Sequence, residues 1–457
     1  MTMGGHIKPY QIFWLLAVLL VLYTVIIPPV FGLGGGSEQY ETLTHVGLFT
    51  PDGADASAIS GVYGIMDGDG ARGLYEWFLS ALAQIGKLFS AFPVQLLGSV
   101  YAAIFLGSLY VILKQLQYTG LWVNLAVGAL FVIVFCDLGY LAYLNSFYRD
   151  ALSFVLLFAL AASVLSMRHE MKWWKLALYT LLAVAFVFTR KLNFLAGLGL
   201  AFTAVWTVRL PQMGRLKAAC WVCAVAIAVS CVFSLFATPV PAEQEGKFHA
   251  VFYGALKGSK DLEADAQALG ASPALAGKTY YETDGADRSA ADGVTYGDIA
   301  IFYLTHPSAL LRELNIAADN SYFLTQGYLD YGGGGWKGQM ALKVWSFLKR
   351  TVLPKGLWMI LLFCAAYIAM CVVNVRKYRA AGDGKNVFLA GVLAILPVAA
   401  LIELVGTVIL TGEAAISRNL FCFGIYFDLM LVSAVIWAVH TVLNRRHEIK
   451  AKYGVNQ

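Results

Sequence analysis

The sequence predicts an all-α polytopic membrane protein of about ten transmembrane helices on three observations. Of 457 residues, 59% are hydrophobic and 13% charged, where a soluble domain carries roughly 25% charged residues. Mean hydropathy is +0.67. Apolar runs approaching the roughly 20 residues that a helix needs to cross a bilayer recur along the chain.

Ten runs qualify: 12–33, 92–113, 121–136, 151–167, 173–189, 192–208, 218–238, 356–374, 386–410 and 420–442. The third to sixth are near the short limit for a span, which leaves room for one re-entrant segment. The first is too long for a signal-peptide core and has no clean cleavage site, so it is expected to stay as an anchor. Basic residues in short loops set the orientation. With the N-terminus in the cytoplasm, Lys8, Lys114, Arg168, Lys172, Lys175, Arg209, Arg215, Lys217, Arg376, Lys377, Arg379, Lys385, Arg445, Arg446, Lys450 and Lys452 all fall inside. Only Glu170, Asp383 and Glu448 oppose them there, so both termini are expected to be cytoplasmic.

The division expected is an N-terminal membrane module (1–238), an extracytoplasmic, mostly helical insertion (239–355) and a C-terminal membrane module (356–457). The first external loop, 34–91, opens on glycines and closes on an apolar-rich stretch, 75–89, with the spacing of a helix lying on the membrane surface. Between them Asp52, Asp55, Asp67 and Asp69 are flanked by Gly or Ala and read as turns. In the insertion, 261–269, 297–314 and 316–324 read as helices broken at His306-Pro307, where the His is expected to cap. A glycine run, 332–335, and an amphipathic basic helix, 340–352, follow. β-branched alternation is too sparse there for a sheet. Seven cysteines all fall in or beside apolar runs, which argues against a disulfide framework, and Cys220-Trp-Val-Cys223 reads as two small hydrophobes. No internal repeat is evident.

The stretch Asp137 to Asp150, DLGYLAYLNSFYRD, joins two of the runs and is unusually rich for such a joint. It carries Asp137, Asn145, Arg149 and Asp150 with Tyr140, Tyr143, Phe147 and Tyr148, a mixture suited to an amphipathic substrate with a polar head; an interfacial aromatic belt is the plainer account of the tyrosines. Arg149, Arg190, Lys191 and Arg418 break the charge rule by standing in short external joints. Arg forks and Lys ammonium groups at that depth hold phosphate or pyrophosphate, though single ones also snorkel to lipid headgroups. Glu38 and Glu41, just beyond the first run, share a helical face at i and i+3, and a carboxylate there can serve as general base on a hydroxyl. Asp67-Gly-Asp69-Gly offers hard oxygen ligands to a divalent cation but lacks the later ligands of a calcium-binding hand. Inside the spans stand Glu403 and Asp428, with no basic partner in the apolar runs. No nucleotide-binding loop, GxSxG, HExxH or nucleic-acid-binding stripe occurs, so energy must arrive with an activated substrate or an ion gradient.

The order of parts resembles the GT-C superfamily of integral-membrane glycosyltransferases. Asp137-Leu-Gly-Tyr140, Tyr143-Leu-Asn-Ser-Phe-Tyr148-Arg-Asp, the 261–270 phrase, Phe302-Tyr-Leu-Thr-His-Pro307 and Ser417-Arg-Asn-Leu420 are similar to segments of the WsfD-like bacterial hexose transferases of surface-glycan assembly. That resemblance implies a polyprenyl-phosphate sugar as donor, a glycan or lipid-linked acceptor, and inverting transfer on the external face of a bacterial plasma membrane. It implies Glu38, with Glu41 second, as the base. Arg149, Arg190, Lys191 and Arg418 would hold the donor phosphate, and Asp137, Tyr140, Asn145, Tyr148 and Asp150 would line the pocket. Beside it stand a glycan polymerase or ligase using a pyrophosphate-linked lipid, and a lipid-linked sugar transporter, which would more often show paired repeats.

Overall fold

Backbone in hydrocarbon must satisfy its own hydrogen bonds, and helices do so within one segment. The computed structural model describes residues 8–51, 59–118, 120–170, 172–207, 214, 216–240, 242–324 and 340–453. Asp52, Asp55, Arg209, Arg215 and the 332–335 glycines lie outside them, as do the side chains of Arg445, Arg446, Lys450 and Lys452.

Among the described residues, seven helices are long and apolar enough to cross a membrane: Pro9–Ile26, Val94–Gln115, Arg149–Arg168, Lys217–Ala237, Leu357–Ala380, Gly384–Thr411 and Phe421–Val442. An eighth arises if Leu121–Phe135 and Leu138–Asn145, bent by 53°, form one span. The sequence count of ten therefore exceeds what length supports. Trp173–Val187 and Asn193–Thr207 have 15 residues each, about 22 Å of helix against a hydrocarbon core of about 30 Å. The Gly384–Thr411 span is broken at Ala394. Pro397 has no N–H to give the carbonyl of Leu393, the last residue of the first half.

The joint 137–150 is buried along its whole length. Tyr140 stacks on Phe154 at 5.4 Å, Tyr143 on Phe421 at 3.5 Å, and Phe147 meets Tyr63 edge-on at 5.0 Å. An interfacial belt would leave these rings at the surface; here they are buried, Tyr140 and Tyr143 against the Arg149–His169 and Phe421–Tyr453 helices and Phe147 against Tyr63 and Phe92. Offset and edge-to-face geometry favours each pair by about 0.5–1.5 kcal/mol beyond its burial.

The first loop folds as the Ser37–Val46 helix, three short strands and the Leu74–Gly86 helix. The strands, Leu48–Phe49, Val62–Ile65 and Phe92–Pro93, form an antiparallel sheet in that order, which the turn-rich sequence does not foretell. After Ala237, the helices Glu243–Ala250, Leu262–Leu269, Tyr296–Thr305 and Pro307–Asn320 follow, then Val344–Thr351. The break falls at His306, which lies flat on Phe302 at 4.4 Å and holds the Phe302 carbonyl at 3.0 Å. Glu243–Ala250 packs on Ile395–Thr411, at the end of the bundle where the first-loop helices also sit.

Candidate active site

At that end a cleft of about 130 Å³ opens between the helix ends and the segments beyond them. The first loop contributes Ser37 and Glu38; the joint, Arg149 and Asp150; the turn before Asn193, Arg190 and Lys191. Residues after the Lys217–Ala237 helix add Pro239, Glu245 and His249, the end of the Ile395–Thr411 helix adds Thr407 and Thr411, and the last joint adds Arg418 and Asn419.

Glycine makes the approach. Gly35 and Gly36 have φ of 85° and 80°, a left-handed backbone that glycine adopts without steric cost. A Cβ on Gly36 would stand 2.8 Å from the Arg418 guanidinium. The turn thus starts the Ser37–Val46 helix, sets Glu38 in its first turn and admits Arg418 against the backbone. Arg418 also stacks over the Tyr148 ring at 4.9 Å, donates to the Tyr148 hydroxyl at 3.3 Å and to Asn419 Oδ1 at 3.1 Å. Tyr148 in turn donates to the Gly35 carbonyl.

Glu38 is half-buried, and burial pushes its carboxyl above the ordinary value; Asp150 adds to this, while Arg418, then Arg149 and Arg190, oppose it. Its Oε1 stands 3.5 Å from the Arg149 N–H. Glu41 is turned elsewhere. It accepts from the Ala242 N–H at 2.6 Å and lies 3.8 Å from Arg72, off the cleft lining.

Two of the four expected phosphate cations are already paired. Arg149 binds Glu76 at 2.8 Å and the Pro239 carbonyl at 2.9 Å. Arg190 binds Asp150 at 2.9 Å and both oxygens of Glu403 at 2.9 Å. Counting charges in short joints does not see carboxylates that arrive from distant sequence. The intramembrane Glu403 therefore has a basic partner, though not one from the apolar runs. Lys191 lines the cleft, half-buried, with no ion pair to a described residue.

Of the expected pocket residues, Asp150 lines the cleft and Tyr148 reaches it through Arg418. Asp137, Tyr140 and Asn145 do not line it. Asp137 caps Gly139 at 2.9 Å and takes the Ser346 N–H at 3.0 Å and the Ser346 hydroxyl, tying the joint to the Val344–Thr351 helix. Tyr140 donates to Asp428 at 2.5 Å, where Trp345 donates at 2.7 Å and Lys349 pairs at 2.9 Å. Asn145 donates to the carbonyls of Val25 and Phe31, both at 2.9 Å. These three hold elements together: apart from Asn145 Oδ1, which has no hydrogen-bond partner among the described residues, their side-chain polar groups, sealed from water, are paired with Ser346, with backbone groups and with buried charge.

Glu76, Glu245 and His249 went unnoticed in the sequence. His249 Nε2 accepts from the Tyr280 N–H at 3.0 Å, and Nδ1 stands 3.7 Å from Glu245. Burial lowers the imidazole, with Arg418 adding to the effect and Glu245 opposing it. Glu245 Oε2 has no partner among the described residues. The i, i+4 spacing of Glu245 and His249, directly after a span, was the available signal; for Glu76 there was only its isolation in an apolar helix. Among the described residues no group of three or more His, Cys, Asp or Glu is arranged to hold a metal ion, the exposed Asp67–Gly70 run included.

A model of the YfdI N-terminal transmembrane domain matches residues 2–456. The chain belongs to that family. Membership, with the apolar helices above, makes it a multi-pass membrane protein. No curated protein matches it. Among solved structures it is similar to the oligosaccharyltransferase AglB of Archaeoglobus fulgidus in complex with an inhibitory peptide and a dolichol-phosphate, at TM-score 0.40 and 12% identity over 98% of this chain. It is also similar to the apo form of the Archaeoglobus fulgidus oligosaccharyltransferase, at TM-score 0.40 and 13% identity over 98% of this chain. The chain spans about half the length of those proteins, 52% in each case.

Proposed function

We propose that this protein is a glycosyltransferase, a hexosyltransferase of GT-C type as the WsfD-like segments imply. It moves a sugar from a polyprenyl phosphate to an envelope glycan or lipid-linked acceptor, on the outer face of a bacterial plasma membrane. The observation that carries the reading is one cleft at the joint-bearing end of the bundle, holding the Glu38 carboxylate among Arg418, Lys191, Arg190 and Arg149. Glu38 takes the proton of an acceptor hydroxyl as its oxygen attacks the anomeric carbon from the face opposite the phosphate. The carbon–oxygen bond to phosphate breaks, the configuration inverts, and charge grows on the departing lipid phosphate. Lys191 and Arg418 meet that charge, and groups fixed in place beforehand need no reorganisation as it develops. Arg149 and Arg190, held by Glu76 and Glu403, set the shape and field behind them. The raised carboxyl suits a base, because proton transfer is most effective when the base's pKa lies near the working pH.

The test is transfer from a radiolabelled polyprenyl-phosphate hexose by purified protein in detergent or nanodiscs. Glu38→Gln should abolish product while the protein elutes and melts normally, and Glu41→Gln should retain most of the activity. Equal loss in both variants, or sensitivity only at Glu403 and Asp428 with transport of intact lipid-linked sugar, would overturn the assignment.

A further inference from the structure

A second cavity, apolar and about 240 Å³, lies inside the bundle toward the end opposite the cleft. The Arg149–His169 helix links the two: it begins at the cleft and lines this cavity from Leu157 to Arg168. Eleven helical steps span about 16 Å, close to the depth of one leaflet's hydrocarbon, half of about 30 Å. The polar lining gathers at the Arg168 end, with Tyr118, Asn374, Asn386 and His440. The Tyr118 and His440 rings stand 6.2 Å apart.

No Asp or Glu among the described residues lines this cavity. The carboxylates nearest in sequence are engaged elsewhere. Glu170 pairs with Lys172 at 3.0 Å, and Asp383 caps the Gly384–Leu393 helix at the Asn386 N–H, 3.2 Å away. A guanidinium at a membrane surface attracts anionic headgroups, by about 1 kcal/mol per basic residue. Length, apolar walls and a basic mouth at headgroup depth fit one kind of occupant.

We propose that this cavity is a binding site for an anionic diacyl phospholipid of that leaflet, with an acyl chain between the helices and its phosphate on Arg168. The site is separate from the sugar-transfer cleft and does not depend on that reading.

Native mass spectrometry of the full-length protein, with added phosphatidylglycerol or phosphatidylcholine, tests it. Wild type should retain phosphatidylglycerol preferentially, and Arg168→Gln should lower that preference about five-fold, as expected for one basic residue at a lipid surface. Ala161→Trp, which fills the cavity and leaves Arg168 in place, should reduce retention of both lipids. Arg72→Gln, which removes an exposed cation of the first loop that lines neither cavity, should leave the preference unchanged. Equal retention of the two lipids by wild type, or a preference lost in Arg72→Gln and kept in Arg168→Gln, would overturn the site. Unchanged retention in Ala161→Trp would do so as well.

Discussion

The two halves of the 137–150 joint have similar composition and opposite fates. In the first half Asp137, Tyr140 and Asn145 spend their polar atoms on Ser346, Asp428 and the carbonyls of Val25 and Phe31. In the second half Tyr148, Arg149 and Asp150 reach the cleft or line it, beside Glu38 and Arg418. Each half is anchored by a buried ion-pair centre: Lys349 on Asp428, fully sealed, and Arg190 on Asp150 and Glu403, beside open space. Charge and aromatic content alone do not make a site. Polar groups closed on every side hold the fold, and those with a face left open can meet a ligand.

The largest effect should come from the open half. Glu38→Gln is expected to cut transfer by about 10²- to 10⁴-fold, the usual contribution of a positioned base. The same variant should gain stability relative to wild type as pH rises. A carboxyl whose folded-state pKa is raised contributes most below its unfolded value and loses that contribution as pH climbs through the folded one. Thermal unfolding across pH 4–8, alongside the transfer assay, reads both, and a fall in activity without the change in pH slope would break the link between burial and base.

The sealed half should answer in stability alone. Lys349→Met leaves Asp428 buried without its cation, a loss of about 3–5 kcal/mol. Lys349→Met combined with Asp428→Leu should restore much of it, because both charges are then gone. Denaturant titration of the two variants decides this, and full activity per folded molecule is expected in the rescued one.

At Arg418 a smaller effect is expected. Arg418→Gln should raise the KM for donor by about ten-fold, in the range for losing one charge-assisted contact. It should also move the acid limb of the pH–rate profile upward, because Arg418 is the cation that most lowers Glu38. An unmoved limb would separate the two residues. Least of all, Asn145→Ala should cost about 1–2 kcal/mol through the orphaned carbonyls of Val25 and Phe31, with kcat unchanged.

Much of the helical layout was legible because hydrophobic length is a local property. The break at His306-Pro307, the helix after the first glycines and the surface-type helix beginning at Leu74 follow from turn chemistry and period. Arg149, Arg190, Lys191 and Arg418 stand out by one rule, that basic charge in short external joints is unexpected, Glu38 by its place just past the first run, and Asp150 by its place in the 137–150 joint. The structure gathers these six around one cleft. Charge position alone carries no information on pairing: Arg149 and Arg190 stand out in sequence as open cations, yet Glu76, Asp150 and Glu403 hold them. Tyr140 and Asn145 read as pocket residues because no local signal distinguishes a tyrosine that meets substrate from one that meets Asp428, 288 positions away.

The sequence by itself determined a membrane chain, the order of its helices, and which charges sit where the bilayer makes them costly. Those are properties of a residue and its near neighbours, set by the free energy of moving side chains and backbone out of water. Only the tertiary structure decided which of those charges neutralise one another. Coulomb attraction and hydrogen bonding act over a few ångströms, and proximity at that scale is made by helix packing between segments far apart in the chain.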